Sequence, residues 1–252
     1  MTLFRICITS TIIFFTTLTF ANKEYDAVEF RELNLSLIAA AKDGDIDKVK
    51  QRLEEGAAIK ARNRFGNTAL ISATRAGSLD IVKLLIEKGA SVDMVNTNAE
   101  TALMNAASGG HTDILQYLID KGADINRLSV KNISALMEAV FARHESIVKI
   151  LLKLYADVSI KDYSGKTALN YASANGDVEI IKLLVKHGAD INRKTDNDLT
   201  SLMWAVGYGK TDAVQTLLEL GADPTIRDNR GLTALMIAEE NNFGEIIKLL
   251  KP

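Results

Sequence analysis

Cysteine is almost absent from this chain: Cys7 is the only one in 252 residues. No intramolecular disulfide and no paired-cysteine zinc site can form, so packing alone must hold the fold. Proline is nearly as scarce, with two in the chain, and aromatics make up 6%. An all-β sandwich would need more turn prolines and more aromatic and β-branched strand residues, so helices are favoured. An excess of either charge is missing as well. Thirty Lys and Arg stand against 32 Asp and Glu, a net charge of −2, which gives no bulk field for gripping nucleic acid or an anionic bilayer. Nucleic acid is therefore not expected as a partner. What the chain does have is 47% hydrophobic and 25% charged residues, the totals of a globular protein rather than a disordered one.

The first twenty-odd residues differ in kind from the rest. After Arg5 no charge occurs before Lys23, and Ile6 to Ala21 is rich in Ile and Phe with Thr and Ser interspersed. A basic start, a short apolar stretch and small residues at Thr19 and Ala21 make the three-part pattern of a secretory signal peptide over 1–21, with cleavage expected after Ala21. An uncleaved anchor is the alternative, but the stretch is short for a bilayer crossing and its hydroxyl residues oppose insertion. Cys7 leaves with the signal, and a mature chain without thiols suits an oxidising compartment. The sequence thus predicts an exported protein, periplasmic or secreted, with no stable membrane insertion after cleavage and a short lead at 22–33.

Beyond the lead, the chain keeps time. A Gly-Ala pair begins at Gly56, Gly89, Gly122, Gly188 and Gly221, with Tyr155-Ala156 filling the gap, and each step is 33 residues. A second marker runs in phase: Thr68-Ala69-Leu70, Thr101-Ala102-Leu103, Ser134-Ala135-Leu136, Thr167-Ala168-Leu169, Thr200-Ser201-Leu202 and Thr233-Ala234-Leu235. Each interval reads as a helical hairpin. The Thr or Ser caps a first helix by accepting from an orphaned backbone amide. Alanines on that helix allow close approach, and a second helix such as Ile81-Val82-Lys83-Leu84-Leu85-Ile86 carries apolar residues at i, i+3 and i+4. Glycine then ends the second helix in the left-handed conformation that only it adopts without steric cost.

These markers resemble the ankyrin repeat, whose Thr-Pro-Leu-His-x-Ala signature at the same period stands here as Thr-Ala-Leu-(Met/Ile/Asn)-x-Ala. The resemblance implies an all-α ankyrin-repeat solenoid of helix-turn-helix units joined by short β-hairpin-like loops. It covers about Asn34 to Pro252: an N-terminal cap at 34–62, full units at 63–95, 96–128, 129–161, 162–194 and 195–227, and a C-terminal cap at 228–252. Two departures stand out. The family's proline is Ala or Ser throughout, and its histidine is replaced by Ile71, Met104, Met137, Asn170, Met203 and Met236. Without that histidine's hydrogen bonds, packing is expected to join the units.

Some positions break the pattern. At the hairpin position before the cap, Gly66, Gly165 and Gly231 are regular, Asn132 and Asp198 tolerate positive φ, and Ala99 is the exception. The fourth unit has Tyr155 where others end the second helix with glycine, and Arg143 where most have glycine between helices. It reads either as tolerated drift and a weak point in the stack or as regularity overridden by function.

Catalytic signals are thin. His111 and His144 fall in inter-helix turns and His187 before a helix-ending glycine, none in a ligand-spaced pair. His111-Thr112-Asp113 and His144-Glu145-Ser146 contain acid, base and hydroxyl, but neighbours at a helix start do not face each other. No phosphate-binding glycine loop occurs. The expectation is a non-enzyme without cofactor or metal, monomeric, that binds a protein partner. The resemblance implies that partners dock on the concave face made by hairpin tips and first helices. Applied to this sequence, it nominates Arg64, Phe65, Arg75, Phe141, Tyr163, Tyr171, Trp204, Tyr208 and Arg230. Six of the nine aromatics within the repeats fall between Phe141 and Tyr208, and Trp and Tyr dominate interface energies. Tyr171 and Trp204, one period apart, are either groove or core. Two rivals stay open: a dedicated inhibitor or protector of one exported enzyme, and, less favoured, an enzyme or small-ligand carrier, which requires a deep polar pocket.

Overall fold

A computed structural model describes residues 26–251; the expected signal peptide and Cys7 lie outside them. Among the described residues there are fourteen helices and no strand. They run α1 (Ala27–Asp43), α2 (Ile46–Glu54), α3 (Ala69–Arg75), α4 (Leu79–Glu87), α5 (Ala102–Gly109), α6 (Thr112–Asp120) and α7 (Ala135–Phe141). The second half continues with α8 (Glu145–Lys153), α9 (Ala168–Asn175), α10 (Val178–Lys186), α11 (Ser201–Gly207), α12 (Thr211–Glu219), α13 (Ala234–Glu240) and α14 (Gly244–Leu250). Odd helices pack on odd and even on even along the chain, and each odd helix packs on the even helix that follows it, so seven hairpins stack in two layers. None of these helices is long and apolar enough to cross a membrane. Helix α1 begins at Ala27, capped by the Asp26 carboxylate on Val28 N and Glu29 N at 2.8 Å each, and runs through Asn34.

Local chemistry explains the elements. The hydroxyls of Thr68, Thr101, Ser134, Thr200 and Thr233 each accept from the amide three residues on, at 3.1–3.3 Å, as helix N-caps do. Behind the caps, Ala73, Ala106, Ala139, Ala172 and Ala205 are completely buried, and so are Leu85, Leu118, Leu151 and Leu184 of the second helices. Small residues on the first helix let the large ones of its neighbours close onto it, which fills the interface without voids. Ile71, Met104, Met137 and Met203 are buried at 0–3% exposure, so packing does replace the missing histidines there. Met236, on the first helix of the last described hairpin, is 38% exposed. Asn170 departs from that expectation: its amide donates to Ser201 Oγ at 3.0 Å and its carbonyl accepts from Thr167 N at 2.8 Å, a buried polar link between units at the histidine position.

All nineteen described residues with positive φ fall at three positions of the repeat: between the helices, after the second helix and at the hairpin tip. Ala99, Asn132, Arg143, Tyr155, Asp198 and Asn242 take these positions with φ of 56–63°. The period, not the residue type, sets the backbone. At the tips a second regularity emerges. Thr97 N donates to Phe65 O, Val130 N to Asn98 O, Tyr163 N to Lys131 O, Asp196 N to Ser164 O and Asn229 N to Asn197 O, at 2.8–3.3 Å. One backbone bond per step thus sews the hairpin tips into a continuous edge.

Each inter-helix position also carries the side chain of the next unit. His111 lies over Gly77, His144 over Gly110, Lys210 over Gly176 and Phe243 over Gly209, and a Cβ at Gly77 or Gly110 would meet the imidazole at 2.7 Å. The two turn histidines are therefore packing residues. At Arg143 the position does carry a Cβ, and the overlying residue is the short Asp177, ion-paired to the guanidinium at 2.5 Å. Arg143, one of the fourth unit's two irregularities, is thus matched by Asp177 across the interface between units, whereas Tyr155 stands 90% exposed.

Candidate functional site

The hairpin at 162–166 anchors the site. Asp162 Oδ1 accepts from Ser164 N at 2.8 Å and Lys166 N at 2.9 Å, an Asx-type closure of the tip. Its other oxygen accepts from the Tyr171 hydroxyl at 2.5 Å, which ties the first turn of α9 to the tip. Burial, with the bond to Asp162 and that carboxylate's charge, pushes the Tyr171 hydroxyl well above the usual tyrosine range, so it remains a donor.

From there a strip of rings runs across three units. Phe141 meets Tyr171 edge to face, with centroids 5.9 Å apart and planes at 88°. Trp204 stacks on Tyr208 at 6.1 Å and 21°. The Lys166 ammonium joins the two pairs, 4.6 Å from the Trp204 ring centre and 5.8 Å from that of Tyr171, a cation–π geometry that also fixes the rings. Tyr171 and Trp204 are half-buried while Phe141, Tyr163 and Tyr208 are exposed at 64%, 69% and 59%. Three exposed rings beside two braced ones make a patch that water solvates poorly.

Next to the strip lies a groove of about 710 Å³ lined by Val130, Ile133, Met137, Phe141, Tyr163 and Tyr171, with the Glu138 carboxylate in its wall. Glu138 is half-buried. Burial raises its pKa, the Ser108 hydroxyl partly offsets this, and repulsion from Glu100 adds to the rise. Glu100 is neutralised by Arg75, whose guanidinium reaches it at 2.6 Å. Glu138 has no ion pair among the described residues.

Of the remaining nominated residues, Arg64, Phe65 and Arg230 lie apart from this cluster, while Arg75 borders it through Glu100, which lines the groove. Arg64 sits over the Phe65 ring at 4.6 Å beside a separate cavity of about 630 Å³ at the N-terminal end. Arg75, held by Glu100 and by Asn105 at 2.5 Å, lines a polar cavity of about 360 Å³ whose wall Glu100 and Glu138 share, but it makes no ion pair with Glu138 among the described residues. Arg230 is drawn back onto Asp228 at 2.7 Å in the last unit. Lys166 and Glu138 were missed by the reading of the sequence. A signal for Glu138 was present: it shares one repeat position with Ser72, Asn105, Tyr171, Trp204 and Ile237, so the position that carries the rings in units five and six carries an acid in unit four. Among the described residues, no group of three or more His, Cys, Asp or Glu is placed to hold a metal ion.

Seven stacked helical hairpins, sewn at their tips and presenting one aromatic face, define a repeat scaffold with an extended surface rather than a closed pocket. The chain belongs to the ankyrin-repeat family. Models described as ankyrin repeats match residues 37–129 and 127–195 (three copies) and 184–238 (many copies). Among 625 solved chains with matching folds is the ankyrin repeat domain of Bcl-3, described as a unique member of the IkappaB protein family. It is 26% identical with a TM-score of 0.71, over 84% of this chain and 97% of that one. No curated protein sequence matches the chain. Family and fold together support a protein-protein interaction module.

Proposed function

We propose that this chain is an exported, non-catalytic binding module that holds one protein partner against the face formed by its hairpin tips and first helices, in units four to six. The observation that carries the reading is the strip Phe141, Tyr171, Lys166, Trp204 and Tyr208, in which exposed aromatic area is braced from below. Rigid rings lose little rotamer freedom on contact, so the area they bury goes largely into affinity. Export rests on the charge-free apolar stretch from Ile6 to Ala21 behind Arg5. In the periplasm or outside the cell, a stack held by packing alone needs no disulfide chemistry.

Crosslinking in the native compartment followed by mass spectrometry tests both halves. It yields the mature N-terminus, expected just after Ala21, and the partner's crosslinked residues. The double variant F141A/Y208A removes two exposed rings and leaves the core alone, so it is expected to fold as the native protein does. It is expected to lose the partner by about 2 kcal/mol or more per hot-spot ring. Unchanged capture by this variant refutes the strip as the docking face.

A further inference from the structure

The strip accounts for the rings but not for Glu138. Its carboxylate is half-buried, lies near a second acid and has no cation of its own among the described residues. A charge in such surroundings costs stability unless something arrives to pair with it. Its neighbours dictate what that something is. Ile133, Met137, Phe141 and Tyr171 line the groove beside it, which suits the methylene stem of a long side chain. The exposed Phe141 ring carries the negative side of an aromatic quadrupole on its faces and favours a cation, while the Tyr171 ring already has the Lys166 ammonium 5.8 Å from its centre. Arg75 already occupies Glu100 at 2.6 Å, so Glu138 is the carboxylate left to receive a charge.

We infer that the groove between units three and five binds a lysine or arginine side chain, flanked by apolar residues, from an extended segment of the protein partner. This rests on the protein-binding reading above and names the chemistry of the partner at that face. The groove's shape admits competitors, and Glu138 decides among them. An apolar side chain of equal length would cover the carboxylate without pairing it and strip away its remaining water. An acidic one would meet Glu138 and Glu100 together. Selectivity therefore comes from the cost of the wrong occupants as well as from the gain of the right one. Lys131, at the exposed tip on the rim of the groove, is a solvated charge whose repulsion is screened.

The test is a titration of the ¹⁵N-labelled protein with four acetylated, amidated tripeptides: Leu-Lys-Leu, Leu-Arg-Leu, Leu-norleucine-Leu and Leu-Glu-Leu. The lysine and arginine peptides are expected to shift the amides of Val130, Phe141 and Tyr171, with the norleucine peptide at least about tenfold weaker and the glutamate peptide weaker still. E138Q, which sheds a desolvated charge and keeps the shape, is expected to fold normally and to bind the lysine peptide about tenfold more weakly, while the norleucine peptide binds as well or better. Equal binding of lysine and norleucine peptides overturns the inference and leaves the aromatic docking face standing. So does a lysine peptide that fails to bind at millimolar concentration while crosslinking still finds a partner on the strip. Sedimentation showing a dimer that E138Q returns to monomer also overturns it, since the occupant is then a second copy. Loss of the crosslinked partner from the whole face brings down the earlier reading instead.

Discussion

The exchange of Arg143 and Asp177 makes a quantitative prediction about how the units are joined. In the native pair, Arg143 carries a left-handed φ of 63°, a strain of about 1 kcal/mol. In return its guanidinium, 62% exposed, reaches an Asp177 side chain that is only 9% exposed, at 2.5 Å. Such a half-exposed pair contributes about 0–1 kcal/mol. R143G relieves the strain and gives up the pair, and it leaves Asp177, whose Oδ2 already has no partner, buried without a counter-charge. The net effect is expected to lie within about 1 kcal/mol of zero. D177H alone forces an imidazole onto a residue that has a Cβ, where neighbouring units show ring atoms 2.7 Å from the Cβ position. Overpacking of that kind costs about 1–3 kcal/mol, and the lost pair brings the total to about 3. In R143G/D177H the ring meets bare glycine, as His111 does on Gly77 and His144 on Gly110, so the double variant is expected to match or exceed the native protein. Urea unfolding of the four proteins, followed by circular dichroism, gives the coupling directly, expected at about 3 kcal/mol in favour of the double variant. Additivity within about 0.5 kcal/mol would refute the matched exchange and leave tolerated drift as the account of unit four.

Three further outcomes follow from the geometry. G165A places a Cβ 2.5 Å from Asp196 Oδ1 and 2.7 Å from its backbone nitrogen at φ +73°, whereas G231A meets open space at φ +83°; the first is expected to cost about 3 kcal/mol and the second about 1, read from denaturation midpoints. T101A removes the hydroxyl that accepts from Met104 N at 3.1 Å and is expected to cost about 1 kcal/mol by the same measurement. For Glu138, burial first and repulsion from Glu100 hold the folded pKa above its ordinary value despite the Ser108 hydroxyl. Raised folded affinity for the proton means that this group's contribution to stability is present in acid and is lost as pH rises through its folded pKa. Melting curves of native protein and E138Q are therefore expected to coincide near pH 3 and to separate from about pH 4 upward, with E138Q the more stable; a native protein that is the more stable at pH 7 contradicts this.

What could be read from the sequence is whatever repeats. Gly56 to Gly221 and Thr68 to Thr233 fixed the unit, its caps and its left-handed positions, because a 33-residue period forces one backbone on every copy. That is why Ala99 and Tyr155 adopt φ of 56° and 59° although neither residue type favours it. The concentration of rings between Phe141 and Tyr208 was legible for the same reason, since equal positions in adjacent units must lie side by side. Tertiary structure alone decided the side-chain contacts between successive units, where the partner's identity varies from unit to unit. Asp177 over Arg143, Asn170 reaching Ser201 and Lys166 reaching the Trp204 ring are pairings of this sort. It also separated Arg64, Phe65 and Arg230 from the cluster and exposed Glu138 as an unpaired charge in an apolar groove. Periodicity fixes where a side chain begins, while the balance of charge, burial and hydrogen bonding around it depends on neighbours that the stacking of units brings together.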